Sequence, residues 1–444
     1  MSTQRLTTHL LEITLDRSKA LSIELTRISQ RQYPPTGPKL LIQLAISAND
    51  RVGKDLTKRL LDPNLPPEPD RRTEIFLRSK ANLLNFLHGL MQCIEGADIQ
   101  SCPSTFVVPI RRMLSRQLGR VGRVRRTRFD FIVKASRAYN YMIWPIDDEI
   151  KRVFLEARYP GLIANLPTPF FIIECPISER RNIPIHCIFW HEVGHVWYQS
   201  SSLPERLLPI VHAPSDSMDQ KLIKANWAEE LAADAIALCL LGPAYLFSLI
   251  YFAGPYCSMS YPSRSHPPDG VRIQFLCNML LSSYRQGGLG YKDGLEGPNR
   301  KYLEQWQSYT SGTPSGSSAT GPFRPVASSI ISALPRIMKE TKLLTGRYRY
   351  NPQAYKHDVP ELCKNIADGI PPNEIIRDSK SGKPIVARAE SILNAGWSYL
   401  ISGDLRYSKL LGIDDRWKIT NRLFDLVSKG LEYSEMQRRV GGLT

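Results

Sequence analysis

The spacing of apolar residues predicts that residues 1 to about 125 are mostly helical. In the segments 37–61 and 72–96, apolar side chains recur at intervals of three and four, as on one face of an amphipathic helix. The proline-rich run 62–70, "DPNLPPEPD", separates the two segments and is typical of a linker. The same helical periodicity returns after about residue 326.

The pattern changes in the middle of the chain. Segments 139–146 and 169–177 are short, aromatic and β-branched, which predicts two strands. Four helices are then predicted, over about 185–200, 219–241, 244–253 and 271–288. Asp216 or Ser217 is the expected N-cap of the second helix, and Gly242-Pro243 should end it.

This order of elements predicts a mainly α fold with a small β-sheet, of the α+β class. We expect a helical N-terminal region (1–125), a core that carries the chemistry (126–310), a flexible Gly/Ser-rich linker (311–325) and a helical C-terminal region (326–444).

The stretch from Ala235 to Tyr256 has 22 residues without a charge, which is long enough to cross a membrane. Gly242-Pro243 and Gly254-Pro255 cut it into pieces of helical-hairpin length. We therefore favour a packed core hairpin over a membrane element.

Composition narrows the class of protein. The chain has 444 residues, 42% of them hydrophobic, so it can bury a substantial core. Its eight cysteines are scattered without a CxxC pair, which indicates reduced, buried thiols and no cysteine-based zinc site. With no apolar secretory segment at the N-terminus, a cytoplasmic location is expected.

The net charge is +16, and it is most concentrated in Arg111–Arg137, where ten basic residues face one acidic residue. Such a patch suits nucleic acid or an acidic partner. A solvated helix face followed by a basic loop is the favoured alternative, because no aromatic residues alternate with the charges as in a nucleic-acid groove.

The most specific motif is His191-Glu192-Val193-Gly194-His195. Two histidines four residues apart project from one face of a helix and can hold one zinc ion. Glu192, which follows the first histidine, can reach a water on that metal and take its proton. The apolar flanks "CIFW" and "VWY" predict a buried helix, in which these polar groups need partners.

A catalytic zinc site needs a third protein ligand. No histidine occupies the positions expected of an HExxHxxGxxH motif, since residue 198 is Tyr and residue 201 is Ser. The next helix offers Glu229, Glu230 and Asp234. Glu230 is favoured over Glu229 because it shares a helix face with Asp234, which could accept the free N–H of a ligating histidine.

The HExxH motif followed by E-x-x-A-D resembles the gluzincin metallopeptidases. The closest resemblance is to the CAAX-prenyl-endopeptidase and heat-shock-protease family, and to the ImmA/IrrE-type proteases. The resemblance covers residues 169–290. Ala237–Pro243 is similar to the segment that ends this motif in the ImmA/IrrE-type proteases. The resemblance implies a zincin-like core, Glu230 as third zinc ligand and Asp234 beside a ligating histidine.

A second stretch, Ser265–Leu276 or "SHPPDGVRIQFL", is similar to a later loop of the first family. The resemblance implies that His266 lies near the zinc, where it could contact the transition state or occupy the metal in a resting form. From the residues alone, His266 could equally cap the following helix. Arg272 is interpreted as a structural ion-pair partner.

These observations predict a zinc metallopeptidase that cleaves peptide bonds in a protein or peptide substrate, with Zn2+ as its cofactor. Strand 169–176 is a candidate edge strand on which an extended substrate pairs. The alternative is a zinc-containing regulatory protein without proteolytic activity, whose basic flanks bind nucleic acid or an acidic partner.

Overall fold

The computed structural model of the protein describes residues 6–33, 37–98, 107, 130–137, 141–164, 166–179, 182–254, 262–283, 287–312, 323–376, 384–402 and 416–440. These residues divide into two compact units. One takes in the described residues up to 107 and from 130 to 179, and the other takes in those from 182 onward. The predicted domain boundaries at 125 and 310 stay predictions.

The first unit combines four helices with a three-stranded sheet. Its elements are α1 (Leu6–Ser29), α2 (Gly37–Leu60), α3 (Arg71–Glu95), β1 (Asp130–Ser136), β2 (Met142–Pro145), α4 (Asp147–Glu156) and β3 (Phe170–Pro176). The helices bury the faces that the three-and-four spacing predicts, with Leu41, Ala45 and Val52 of α2 inaccessible to solvent. The linker 62–70 separates α2 from α3, as expected.

The sheet corrects one expectation about substrate binding. β3 lies between the other two strands: β1 pairs with it in parallel, with Asp130 opposite Phe170, and β2 pairs with it antiparallel, with Met142 opposite Glu174. The candidate edge strand 169–176 is therefore a central strand, and that prediction was wrong. Its nearly continuous apolar sequence is typical of a strand buried on both faces.

β1 was missed in the sequence because it lies inside the basic patch Arg111–Arg137. Its first four residues, Asp130–Val133, are buried, so this end of the patch is neither a helix face nor a loop. Residues 111–129 of the patch and residues 313–322 of the predicted linker lie outside the described residues.

The second unit is built from helices. They are α5 (Phe189–Gln199), α6 (Leu203–Val211), α7 (Met218–Leu241), α8 (Pro243–Ala253), α9 (Asp269–Leu281), α10 (Gly297–Gly312), α11 (Phe323–Thr345), α12 (Pro352–Ala367), α13 (Ala389–Ser402) and α14 (Arg416–Val440), with a short antiparallel ladder of β4 (Glu374–Ile375) and β5 (Ile385–Val386). The described chain is thus mainly helical with little sheet, which confirms the α+β prediction at that level.

The apolar stretch after residue 235 forms a core hairpin. Ser217 caps α7 through a capping box with Gln220, and α7 ends at Gly242, whose φ of 76° suits glycine. Pro243 then begins α8. The C-terminal half of α7 and most of α8 are buried. None of the helices in the described ranges has the length and apolar character needed to cross a membrane.

Candidate metal centre

The motif helix α5 and the ligand helix α7 approach each other very closely. A Cβ added to Gly194 would lie 2.4 Å from the carbonyl oxygen of Ala233 and 2.7 Å from its Cα. Only a glycine on α5 permits this contact, because those neighbours are backbone atoms that cannot rotate away. Gly194 therefore allows His191 and His195 to come within reach of the carboxylates on α7.

Three side chains converge between these helices, namely His191, His195 and Glu230. Their candidate ligand atoms all lie within 4.8 Å of one another. Glu230 Oε2 is 3.1 Å from His191 Nε2, and Glu230 Oε1 is 3.3 Å from His195 Nε2. The two Nε2 atoms are 3.1 Å apart. The structure thus brings together the three residues that the sequence predicts as ligands.

Each histidine has a second carboxylate on its other ring nitrogen. His191 Nδ1 lies 2.8 Å from Asp234 Oδ1, and His195 Nδ1 lies 3.0 Å from Glu229 Oε1. A carboxylate accepts hydrogen bonds, so each Nδ1 donates and each neutral ring keeps its lone pair on Nε2. Two lone pairs then face each other beside the Glu230 carboxylate, an arrangement that requires a cation or additional protons.

The charges around the histidines favour positive charge at this position. Burial by itself would lower the pKa of His195, but Glu229 and Glu230 raise it to about 10. Burial likewise opposes protonation of His191, while Asp234 and Glu230 raise its pKa above the ordinary value. The same carboxylate charges would attract a metal cation to this position.

Asp234 is held by two further side chains. Arg272 of α9 donates to both of its oxygens, from Nε at 2.7 Å and from Nη2 at 2.8 Å. Tyr245 of α8 donates its hydroxyl to Oδ1. Burial would raise the pKa of Asp234, but Arg272 and His191 hold it below its usual range. Arg272 is therefore a structural ion-pair partner, as predicted.

Glu192 differs from the other acidic residues of the site. Its side chain is half-buried on α5 and makes no hydrogen bond or ion pair with the part of the chain that the structure describes. It is close enough to His195 for its negative charge to raise the pKa of that ring. An ionised carboxylate without a partner beside a metal site can accept a proton from water.

His266 is next to the ligand set and does not cap α9. The N-cap position belongs to Pro268, whose side chain makes no capping hydrogen bond. His266 Nε2 lies 3.5 Å from Glu230 Oε1, and 54% of its side chain is exposed. Its Nδ1 contacts the Ser265 hydroxyl at 2.7 Å. The imidazole therefore combines proximity to the site with access from solvent.

Two contributors were missed in the sequence. Glu229 was considered only as the less favoured candidate for the third ligand, yet it lies against His195 Nδ1, and Gln199 also donates to it at 2.9 Å. Tyr245 lies on α8 and belongs to no sequence motif. Cys187 and Cys239 are buried away from the ligand set, as expected, and burial raises the pKa of the Cys187 thiol to about 12.

No protein-family model matches the chain, and neither the curated proteins nor the solved structures contain a match. The geometry of the site is therefore the principal evidence about function.

Proposed function

We propose that the protein is a zinc-dependent endopeptidase of the gluzincin type, with His191, His195 and Glu230 as zinc ligands and Glu192 as general base. The observation that carries the proposal is the convergence of two Nε2 atoms on the Glu230 carboxylate, with each Nδ1 committed to a further carboxylate. Two histidines and a glutamate, with one position open, form a common ligand set of catalytic zinc.

The unsatisfied hydrogen-bonding capacity of Glu230 also supports a metal at this position. Glu230 Oε2 is buried and has no hydrogen-bond partner among the described residues, although His191 Nε2 lies 3.1 Å away. A buried carboxylate oxygen without a hydrogen bond is costly unless something else compensates its charge. A divalent cation between the three side chains would provide that compensation.

The residues of this chain have distinct parts in the proposed reaction. His191, His195 and Glu230 would hold the zinc, which when bound would supply Lewis-acid polarisation of the carbonyl and make water more acidic. Glu192 accepts the proton of the attacking water and later delivers it to the leaving amine. His266, exposed beside Glu230, donates a hydrogen bond to the oxygen of the scissile carbonyl as negative charge develops there.

Metal analysis and a protease assay test the proposal together. We expect about one zinc per purified wild-type chain and a large loss of zinc in Glu230→Ala. Glu192→Gln should keep its zinc but hydrolyse an unfolded protein substrate such as casein at least ~100-fold more slowly, because the general base is gone. Casein cleavage that persists in Glu192→Gln would contradict the assigned role.

The alternative function gives a different result in the same experiments. A regulatory protein without proteolytic activity would hold zinc in the wild type and cleave no substrate. If it also bound nucleic acid with a steep dependence on salt, the alternative would be supported. A wild-type protein that binds no zinc would contradict both functions.

A further inference from the structure

The first unit contains a cavity of about 1000 Å³ bounded by α2, the 62–70 linker, α3 and the C-terminal end of α4. Volumes of this order are typical of sites for small molecules. The cavity has a buried floor at Lys80, whose side chain is only 4% exposed, and an apolar wall at Phe76.

The acidic side chains that line this cavity already have partners. Asp55 accepts from Lys80 and Tyr159, and Asp62 accepts from Arg59. Asp70 caps α3 by accepting from the Thr73 N–H, and Glu156 accepts from Arg152. None of these carboxylates forms a hydrogen bond or ion pair with Lys58, Arg72 or Arg158 among the described residues, although Asp55 attracts Lys58 and Asp70 attracts Arg72 through space.

Three basic side chains of the lining have no such partner. Lys58, Arg72 and Arg158 are exposed, and they make no hydrogen bond or ion pair with the residues that the structure describes. Lys80 and Arg59 are already committed to Asp55 and Asp62. The cavity thus presents three cationic side chains with unpaired hydrogen-bond donors around one concave space, and five cationic side chains line it against four carboxylates. Both features favour an anionic ligand.

The backbone of Arg158 is the second, independent observation. Its φ is 64°, in the left-handed region. Its N–H donates to Leu155 O at 3.0 Å, and the N–H of Tyr159 donates to Phe154 O at 2.8 Å. These two bonds form a Schellman motif at the end of α4, with an arginine at the position that usually holds glycine.

A side chain at this position costs backbone strain that glycine would avoid. Within the described residues no hydrogen bond or ion pair to the guanidinium accounts for an arginine at this position. Strained residues of this kind cluster at ligand sites, where the side chain compensates for the strain. Arg158 therefore has the properties expected of a ligand contact that points at the cavity rim.

We propose that this cavity binds a small molecule with two or more phosphate groups, held by Lys58, Arg72 and Arg158. The guanidinium groups of Arg72 and Arg158 suit phosphate oxygens because each can donate two parallel hydrogen bonds. A nucleic acid strand is a less suitable ligand, since the cations surround one concave space and do not follow an extended groove.

Calorimetric titration of the full chain with inorganic tripolyphosphate tests the site. We expect one saturable site per chain, weakened by added salt. Arg158→Gly should reduce affinity about tenfold or more while Tm stays the same or rises, because glycine relieves the strain. Arg72→Gln should weaken binding similarly. Arg17→Gln on α1 removes the same charge away from the cavity and should leave affinity unchanged.

Several outcomes would overturn the proposal. These are absence of saturable binding, equal affinity in Arg158→Gly and the wild type, or an equal loss in Arg17→Gln, which would indicate diffuse surface charge. Tighter binding of a 20-nucleotide single strand that also depends on Arg158 would assign the site to nucleic acid instead. Because tripolyphosphate chelates metals, Glu230→Ala is titrated in parallel and should bind it equally, which separates this site from the proposed zinc centre.

Discussion

Each unit of the molecule contains a buried group of charged side chains, and the two groups differ in how fully their hydrogen-bonding atoms are used. In the first unit, Lys80 donates to Asp55, to the Ala157 carbonyl and to the Tyr159 hydroxyl at 2.7–3.0 Å, and Tyr159 in turn donates to Asp55. All three ammonium protons have an acceptor.

In the second unit, the group around Glu230 is left incomplete. The Asp234 carboxylate at its periphery is fixed by Arg272 and Tyr245. At the centre, however, two ring nitrogens face each other 3.1 Å apart and Glu230 Oε2 has no hydrogen bond. A network whose polar atoms are all paired is expected to contribute to folding alone, whereas one with an unsatisfied carboxylate oxygen at its centre is expected to bind a ligand.

The largest predicted difference between the two groups is their response to zinc. Zinc in thousandfold excess over its Kd should stabilise the metal-free wild-type protein by about 4 kcal/mol. Glu230→Ala should lose this effect because a central ligand is missing. Asp55→Asn, in the completed group, should keep it. Thermal unfolding with and without zinc measures the stabilisation of the wild type and of the two variants.

The comparison fails if zinc stabilises Glu230→Ala as strongly as the wild type. In that event the ion would bind elsewhere, and the unsatisfied Glu230 oxygen would have no connection with metal. Loss of the zinc effect in Asp55→Asn would also contradict it, because the completed group would then be coupled to the metal.

The next largest effect is expected from the close contact that brings the ligands together. Gly194→Ala places a methyl group 2.4 Å from the Ala233 carbonyl oxygen, so α5 and α7 must separate. We expect a loss of about 3 kcal/mol in the free energy of unfolding and a marked loss of zinc affinity. Gly89→Ala is the control, because an added Cβ at Gly89 of α3 meets no atom within 4 Å. Denaturant titration and metal analysis give the two quantities, and normal zinc affinity in Gly194→Ala would refute the explanation.

The partner of His195 should have a smaller effect on the metal. Glu229→Gln keeps the shape of the side chain but removes the charge beside Nδ1, so the ring becomes a weaker ligand. Zinc affinity should fall about 10- to 100-fold, as is typical when such a supporting carboxylate is lost. Competition with a chromogenic chelator measures this change. Equal affinity in Glu229→Gln and the wild type would mean that Gln199 or solvent orients the ring.

The shared faces that bring His191, His195 and Glu230 together could be predicted from the sequence because their spacing is local. His191 and His195 are one helical turn apart, and Glu230 and Asp234 are also one turn apart, so each pair shares a face before any tertiary contact is known. Ser217 and Gly242 define the ends of α7 by equally local rules.

Contacts between distant segments could not be predicted in this way. The pairing of His195 with Glu229 depends on the angle at which α5 crosses α7, and the contact of Tyr245 with Asp234 depends on the turn at Gly242. Strand β1 was not predicted because it lies within a segment rich in basic residues. The central position of β3 depends on its parallel pairing with β1. None of these features has a periodicity within one segment.

The smallest predicted effect concerns pH and the completed group. Burial would raise the pKa of Asp55, but hydrogen bonds from Lys80 and Tyr159 lower it below the ordinary value. A carboxyl group whose pKa is lowered by folding stabilises the protein above its unfolded pKa of about 3.9, and this contribution is lost as pH falls through the folded pKa. Because 43% of the Asp55 side chain is exposed, solvent screening limits the contribution at pH 7 to about 1 kcal/mol.

Asp55→Asn should therefore be less stable than the wild type at pH 7, and the difference should shrink as pH is lowered below about 4, where the wild-type carboxyl also becomes neutral. Asp16→Asn is the matched control, since Asp16 pairs with Lys19 in a bridge whose side chains are 73% and 66% exposed. Asp16→Asn should change the free energy of unfolding by only ~0.3 kcal/mol at pH 7. Urea titrations of the three proteins across this pH range measure the effect. A difference between wild type and Asp55→Asn that stays constant with pH would mean that the shape of the side chain, rather than its charge, completes the Lys80 group.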